Sequence, residues 1–115
     1  IYTPHVPHGW DCGVLFDEST RTLLCGDLFT QAGGDVPPVT ESEILTASEG
    51  MRHMLDYYAH ATATNAVLHR LADLRPSLLA CMHGSAYRGD GGALLRELAA
   101  VLARGDGAAI AAGSE

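Results

Sequence analysis

Three polar side chains lie at the ends of short apolar runs in this sequence, each close to a glycine. They are His8 in TPHVPHGWD, Asp27 in LLCGDLF and His83 in LLACMHGSAYRGD. Many α/β folds place such side chains at strand ends, where they point into a common crevice. Two imidazoles and one carboxylate are also a ligand set for transition metals. The pattern therefore predicts an α/β fold in which these three residues form half of a metal site.

Length, charge and cysteine content narrow the classes of protein. The chain has 115 residues, enough for one small domain. Its net charge of -7 makes nucleic acid and acidic membranes poor partners, and no apolar run is long enough to cross a bilayer. Three widely spaced cysteines, Cys12, Cys25 and Cys81, argue against a disulfide framework or a zinc ribbon. Buried thiols in a reducing compartment are the expectation, and with them a cytoplasmic protein.

The first part of the chain has the pattern of a β-hairpin. Residues 12–16 (CGVLF) and 22–25 (TLLC) are short apolar strands separated by a polar turn. Residues 30–39 are rich in glycine and proline and predict a loop. Thr40 with Glu43 fits a capping box, which favours a short helix immediately afterwards.

The second part predicts a helix, a strand and another helix. Apolar residues recur at near-helical spacing over residues 49–74, which indicates one long amphipathic helix ended by Arg75-Pro76. Residues 77–82 (SLLACM) form a buried strand by length and composition. Asp90 caps the final helix, and residues 105–115 are expected to be a flexible tail.

The order hairpin, long helix, strand, helix predicts a sheet with helices on one face. An apolar strand such as SLLACM usually needs cover on both faces. The sequence therefore predicts half of a sandwich. Its partner would be either a missing N-terminal half or a second copy of the chain.

The ordered motifs resemble the metallo-β-lactamase superfamily. In that family a loop histidine precedes a hairpin, a Gly-Asp pair ends the hairpin's second strand, and a later strand ends in His-Gly, as at residues 80–84 here. The resemblance covers residues 1–104. It implies the C-terminal half of a metallo-β-lactamase-like αββα sandwich.

The same resemblance implies roles for the three residues and a pair of cofactors. His8 would ligate the first of two divalent metals, Asp27 would bridge both, and His83 would ligate the second. The metals would be zinc or iron, since neutral imidazoles suit both and a bridging carboxylate offsets the charge of two close cations. His5 is the alternative to His8 if the loop register differs.

One departure from the family is large. The family's H-x-H-x-D-H signature is missing, because no two histidines of this sequence are separated by a single residue. Most ligands of the first metal and two of the second would then lie outside the chain. We therefore expect a fragment of a longer protein that is weakly active or inactive by itself.

Further residues are candidates for the walls of a pocket, and none is resolved as a catalytic residue apart from the ligands. His5 and Trp10 flank His8. Ser85, Tyr87 and Arg88 follow His83 in a loop that should border the site, where they would contact a small-molecule substrate or shape the turn.

Three functions remain open at this point. The resemblance implies first a hydrolase, in which a metal-bound hydroxide attacks an ester, thioester, amide or phosphodiester. The alternative on the same fold is a di-iron domain that binds or reduces oxygen or nitric oxide. The third possibility is a non-catalytic oligomerising module.

Overall fold

A computed structural model describes residues 1–9, 12–55, 58–59 and 62–112, with side chains as far as residue 104. These residues form a mixed α/β fold, as the sequence predicts. The elements in chain order are β1 (Leu15–Asp17), β2 (Thr22–Gly26), β3 (Val39–Thr40), α1 (Leu45–Leu55), α2 (Thr64–Ala72), β4 (Leu78–Cys81), β5 (Ala86–Arg88) and α3 (Gly91–Ala112).

The five strands form one mixed sheet in the order β1-β2-β4-β5-β3. The predicted hairpin is confirmed, because β1 pairs antiparallel with β2. The predicted strand at residues 77–82 is also confirmed as β4, which pairs parallel with β2 at the centre of the sheet. This central pairing brings together two strand ends that are far apart in the sequence.

One face of the sheet belongs to the hydrophobic core. Leu23 of β2 and Leu79 of β4 are register partners, and both are fully buried. They join a cluster that also takes buried residues from α2 and α3, so both helices contribute to the same core. The buried helix residues of this cluster are Val67, Leu68, Leu71, Ala72, Leu94, Leu95, Leu98 and Ala99.

The opposite face of the hairpin carries apolar side chains that remain exposed. Leu15 and Leu24 are cross-strand partners, and Leu24 in turn pairs with Ala80 of β4. Leu15 is 65% exposed and Leu24 43% exposed. Strands that are apolar on both faces are typical of sheets covered on both sides, so this row, Leu15–Leu24–Ala80, has the character of a surface that is normally covered.

The single long helix predicted over residues 49–74 is wrong. The region contains two helices, α1 and α2, and residues 58, 59, 62 and 63 between them are not helical. Tyr58 is buried, and the backbone N–H of Ala59 donates to the carbonyl of Pro7 instead of to a preceding turn of helix. Tertiary contacts with the N-terminal loop thus override a helical spacing of apolar residues.

Two short strands lie where the sequence predicts loops. β3 pairs parallel with β5, with Val39 opposite Ala86 and Thr40 opposite Tyr87. Segments of two and three residues are too short to show alternation, so their patterns carry no strand signal. α3 continues past residue 104 to Ala112. Within the described ranges, no helix combines the length and apolar character needed to cross a membrane.

The start of α1 is stabilised by Glu43. Its carboxylate accepts hydrogen bonds from the Thr46 hydroxyl at 2.6 Å and from the Thr46 backbone N–H at 2.9 Å. These bonds lower the pKa of Glu43 below its ordinary value, the side-chain bond contributing most. The predicted capping pair is therefore only half right, because Thr40 lies in β3 and caps no helix.

We predict that Glu43→Ala lowers the free energy of unfolding by about 1 kcal/mol at neutral pH, the usual effect of losing a helix cap. Urea denaturation measures the change, with Glu41→Ala as an exposed control expected to be neutral. Since the folded-state pKa of Glu43 is depressed, its contribution is present above the unfolded-state pKa and is lost as the pH falls through the folded-state value. An equal deficit at pH 7 and at strongly acidic pH would contradict the assignment.

Candidate functional site

The three side chains singled out in the sequence converge in the structure. His8 Nε2 lies 2.7 Å from Asp27 Oδ2, within hydrogen-bond distance. His83 Nε2 lies 3.4 Å from Asp27 Oδ1. The Asp27 carboxylate thus has an imidazole at each of its oxygens. Oδ1 is buried and accepts no hydrogen bond from the described residues, since the His83 contact lacks hydrogen-bond geometry.

The central strand pair positions Asp27 and His83. β2 ends at Gly26, whose φ of +57° turns the chain away from the sheet. β4 ends just before Met82, whose backbone N–H donates to the Gly26 carbonyl at 2.9 Å. The two parallel strands therefore end side by side, and the residue that follows each turn enters the same crevice.

His8 is carried by a loop that is tied to the rest of the fold. Val6 is fully buried, and its N–H donates to the Thr3 carbonyl at 3.0 Å. Thr3 is itself buried, and its N–H donates to the Cys12 carbonyl at 2.9 Å. These contacts set the register of the loop so that His8 meets Asp27. His5 is exposed, with a φ of 62°.

Gln31 joins the two loops that follow β2 and β4, and the sequence analysis does not identify it. Its side-chain amide donates to the Ser85 carbonyl at 3.1 Å, and its Oε1 accepts the Ser85 N–H at 3.2 Å. Its own backbone N–H donates to the His83 carbonyl at 3.1 Å. This buried amide fixes the position of His83. The only signal in the sequence is a glutamine inside a Gly- and Pro-rich loop, which is too common to interpret.

The three side chains open onto a cavity of about 350 Å³. Met51 and Leu55 of α1 line one part of it, and Thr30 and Gln31 line another. The cavity is therefore an open, mostly apolar depression with two imidazoles and one carboxylate at its wall. Such a depression suits a small ligand held by a few polar groups.

The remaining pocket candidates lie elsewhere. His5, Ser85, Tyr87 and Arg88 are not among the residues that line this cavity. Ser85 is buried and its hydroxyl donates to the Pro37 carbonyl at 2.6 Å, so it shapes the loop. Tyr87 and Arg88 belong to β5. Trp10 lies outside the described residues.

The donor chemistry fits part of a metal site. Two ligand atoms on one zinc or iron ion are separated by about 3 to 3.5 Å, given metal–ligand distances near 2.1 Å. The 3.4 Å between His83 Nε2 and Asp27 Oδ1 falls in that range, and the orphaned Oδ1 has lone pairs available. However, no group of three or more His, Cys, Asp or Glu side chains in the described ranges could hold an ion together. The His83–Asp27 pair therefore fits one partial metal position as it stands. His8 Nε2, at 2.7 Å from Asp27 Oδ2, is at hydrogen-bond distance and would have to separate from that oxygen for an ion to lie between them.

A pair of thiols lies directly behind the site. The Cys25 thiol donates to the sulfur of Cys81 at 3.9 Å. This hydrogen bond, together with burial, raises the pKa of the Cys25 thiol well above its ordinary value. Cys25 is thus a neutral buried thiol, as the sequence analysis expects.

Comparison with known proteins identifies fold neighbours. No family model matches the chain, and no curated protein matches it. Among solved structures, the chain is similar to a peroxy diiron species of the chemotaxis sensor ODP, with 21% identity and a TM-score of 0.51 over 77% of this chain and 39% of that one. It is also similar to the apo state of chemotaxis sensor ODP from T. denticola, with 22% identity and a TM-score of 0.50 over 77% of this chain and 38% of the other. The chain thus spans about two fifths of the length of these structures, and at such identity the similarity concerns the fold.

We predict that Gly84→Ala destabilises the protein by about 2 kcal/mol or more, because an alanine there is strained and collides with the buried amide. Gly84 has a φ of +101°, and an added Cβ would lie 2.6 Å from the Cβ of Gln31. Urea denaturation measures the loss.

Gly34→Ala is the matched control. An added Cβ at Gly34 meets nothing within 4 Å, so the change in stability should stay within about 0.5 kcal/mol. Equal effects of the two substitutions would show that the contact between Gly84 and Gln31 does not hold the loop.

Proposed function

We propose that this chain supplies half of a di-iron centre that binds oxygen or nitric oxide, with His8, Asp27 and His83 as its ligands. The observation that carries the proposal is the Asp27 carboxylate between two imidazoles, with a buried Oδ1 that accepts no hydrogen bond from the described residues. Iron is the metal proposed because the fold is similar to that of a peroxy diiron species of the chemotaxis sensor ODP.

Each residue has a physical task in this proposal. Asp27 carries the negative charge that would offset two adjacent cations, and it presents one oxygen to each. His8 and His83 place Nε2 beside different oxygens of the carboxylate, and each Nε2 would give its lone pair to a bound iron. Bound iron would supply the one-electron and oxygen chemistry that side chains lack. Met51 and Leu55 give the cavity an apolar wall, which favours a small neutral ligand over an ionic substrate.

The hydrolase expected from the sequence has less support. The comparisons give it none, and the di-iron alternative corresponds better to the neighbouring structures. Among the described residues that line the cavity, the three ligand candidates are the only titratable groups. No separate acid is therefore placed there to protonate a leaving group.

We further propose that the fold is the C-terminal half of a metallo-β-lactamase-like sandwich and that its exposed sheet face packs against another half. The row formed by Leu15, Leu24 and Ala80 is the surface that would be covered. The other half would come from further residues of the same protein or, for the isolated chain, from a second copy. It would also bring the ligands that complete the metal site.

We predict that the full-length protein containing this chain binds about two iron ions per chain when purified from iron-supplied cells. Asp27→Asn should weaken iron binding at least about tenfold, because an amide lacks the charge and the second ligand oxygen. Plasma mass spectrometry on the purified proteins measures the metal content.

Asp35→Asn is the matched control, because Asp35 is an exposed aspartate in the loop before β3. It should leave the iron content unchanged. About two zinc ions in place of iron would instead favour the hydrolase. A protein that binds no metal when metal is supplied would overturn both enzymatic proposals.

We predict that the isolated chain self-associates and that Leu24→Lys makes it monomeric, since a charge in the exposed apolar row opposes its burial. Sedimentation velocity measures the association. Ala47→Lys, on the exposed part of α1, should leave it unchanged. A monomeric wild-type chain would exclude the second copy as the covering partner.

A further inference from the structure

The contact between Cys25 and Cys81 is the feature that carries an inference beyond the metal centre. Their sulfur atoms are 3.9 Å apart, and both thiols are free. They lie on neighbouring strands, about 4.8 Å apart in a sheet. A disulfide needs the two Cα atoms within about 7 Å, and two sulfurs already in contact on neighbouring strands satisfy the main requirement for forming one.

The positions of the two cysteines follow from the strand register. Leu23 and Leu79 are partners on the buried face, and each cysteine comes two residues later on its own strand. The register shifts between Leu24 and Gly26, so Cys81 pairs with Gly26 and Cys25 is the extra residue of a bulge. Cys25 belongs to the buried core and Cys81 packs against it, so both lie on the core side of the sheet. Each cysteine also lies two residues before a site residue, Asp27 just after β2 and His83 just after β4. A link between the sulfurs would join the two strand ends that carry the site.

The two thiols differ in access to solvent. Cys25 is fully buried, whereas Cys81 is only half-buried. An oxidant arriving from solvent therefore reaches Cys81 first. The buried Cys25 is then the nearest thiol that can react with the oxidised sulfur.

We propose that Cys25 and Cys81 form a reversible disulfide between β2 and β4 when the protein meets hydrogen peroxide. The peroxide O–O bond breaks as Cys81 Sγ takes up a hydroxyl group, which gives a sulfenic acid and one water. Cys25 Sγ then attacks Cys81 Sγ, and its thiol proton passes to the departing hydroxide. The S–S bond forms, the S–O bond breaks and a second water leaves. The two thiols together lose two electrons, and one peroxide molecule is reduced to two waters.

The disulfide restrains the backbone next to the site. It draws the sulfurs from 3.9 Å to about 2.05 Å and fastens the two strands to each other. The hydrogen bond from the Met82 N–H to the Gly26 carbonyl lies beside the link and joins the same strand ends. Its opening should therefore be suppressed in the oxidised protein.

Peptide mapping of the metal-free, full-length protein tests the proposal. After brief treatment with hydrogen peroxide, the remaining thiols are alkylated under denaturing conditions and the digest is analysed by mass spectrometry. We expect a cross-linked peptide containing Cys25 and Cys81, an alkylated Cys12, and loss of the cross-link after dithiothreitol. A disulfide that contains Cys12, sulfinic or sulfonic acid at Cys81 without a cross-link, or full alkylation of all three cysteines would overturn the proposal.

Hydrogen exchange at the Met82 amide provides a second measurement on the wild-type protein. Oxidation should slow this exchange roughly tenfold or more, because the cross-link restrains local opening. Cys12→Ser should respond as the wild type does, and Cys81→Ser should not respond to peroxide. Unchanged exchange in the oxidised wild-type protein would refute a disulfide that restrains the two strand ends. This result does not depend on the folding of either variant.

Discussion

The site depends on the parallel pairing of β2 with β4. Leu23 and Leu79 bury the centre of this pair, and the Met82–Gly26 hydrogen bond closes its end. Burial of two leucine side chains stabilises the pairing by about 1.5–3 kcal/mol each. Because both strands then turn out of the sheet at the same level, Asp27 and His83 share one crevice although they are distant in sequence. The register shifts between Leu24 and Gly26, which places Gly26 opposite Cys81 at the end of the pair.

Much of the site could be predicted because it lies where strands end. An apolar run followed by glycine and a polar residue is a short-range pattern, and it identified Asp27 and His83 correctly as neighbours. The choice between His5 and His8 depended on the loop register. The structure places His8, and not His5, beside Asp27, in a loop in which Val6 is buried. The packing of Val6 depends on residues that are distant in the sequence, so no local sequence pattern predicts it.

The parts that could not be predicted depend on contacts between distant segments. The break between α1 and α2 arises because the Ala59 N–H bonds to Pro7, so apolar spacing alone suggested one continuous helix. The two-residue β3 exists only because β5 lies beside it. Gln31 is likewise visible only once the two loops have met. The half-sandwich itself stays a prediction, since the structure establishes only an α/β fold.

The proposed half-sandwich would give two unusual features of the molecule one physical explanation. A buried carboxylate oxygen that accepts no hydrogen bond costs about 1–3 kcal/mol, and more when it is charged, yet Asp27 Oδ1 is in that state among the described residues. The exposed row of Leu15 and Leu24 also leaves apolar area in water on a sheet whose other face is well packed. Each feature is unfavourable in the chain alone. Both become favourable if one additional half of the fold covers the sheet and brings the cations and ligands that Asp27 is placed to share. On the proposal of a half-sandwich, one further surface would therefore account for both features.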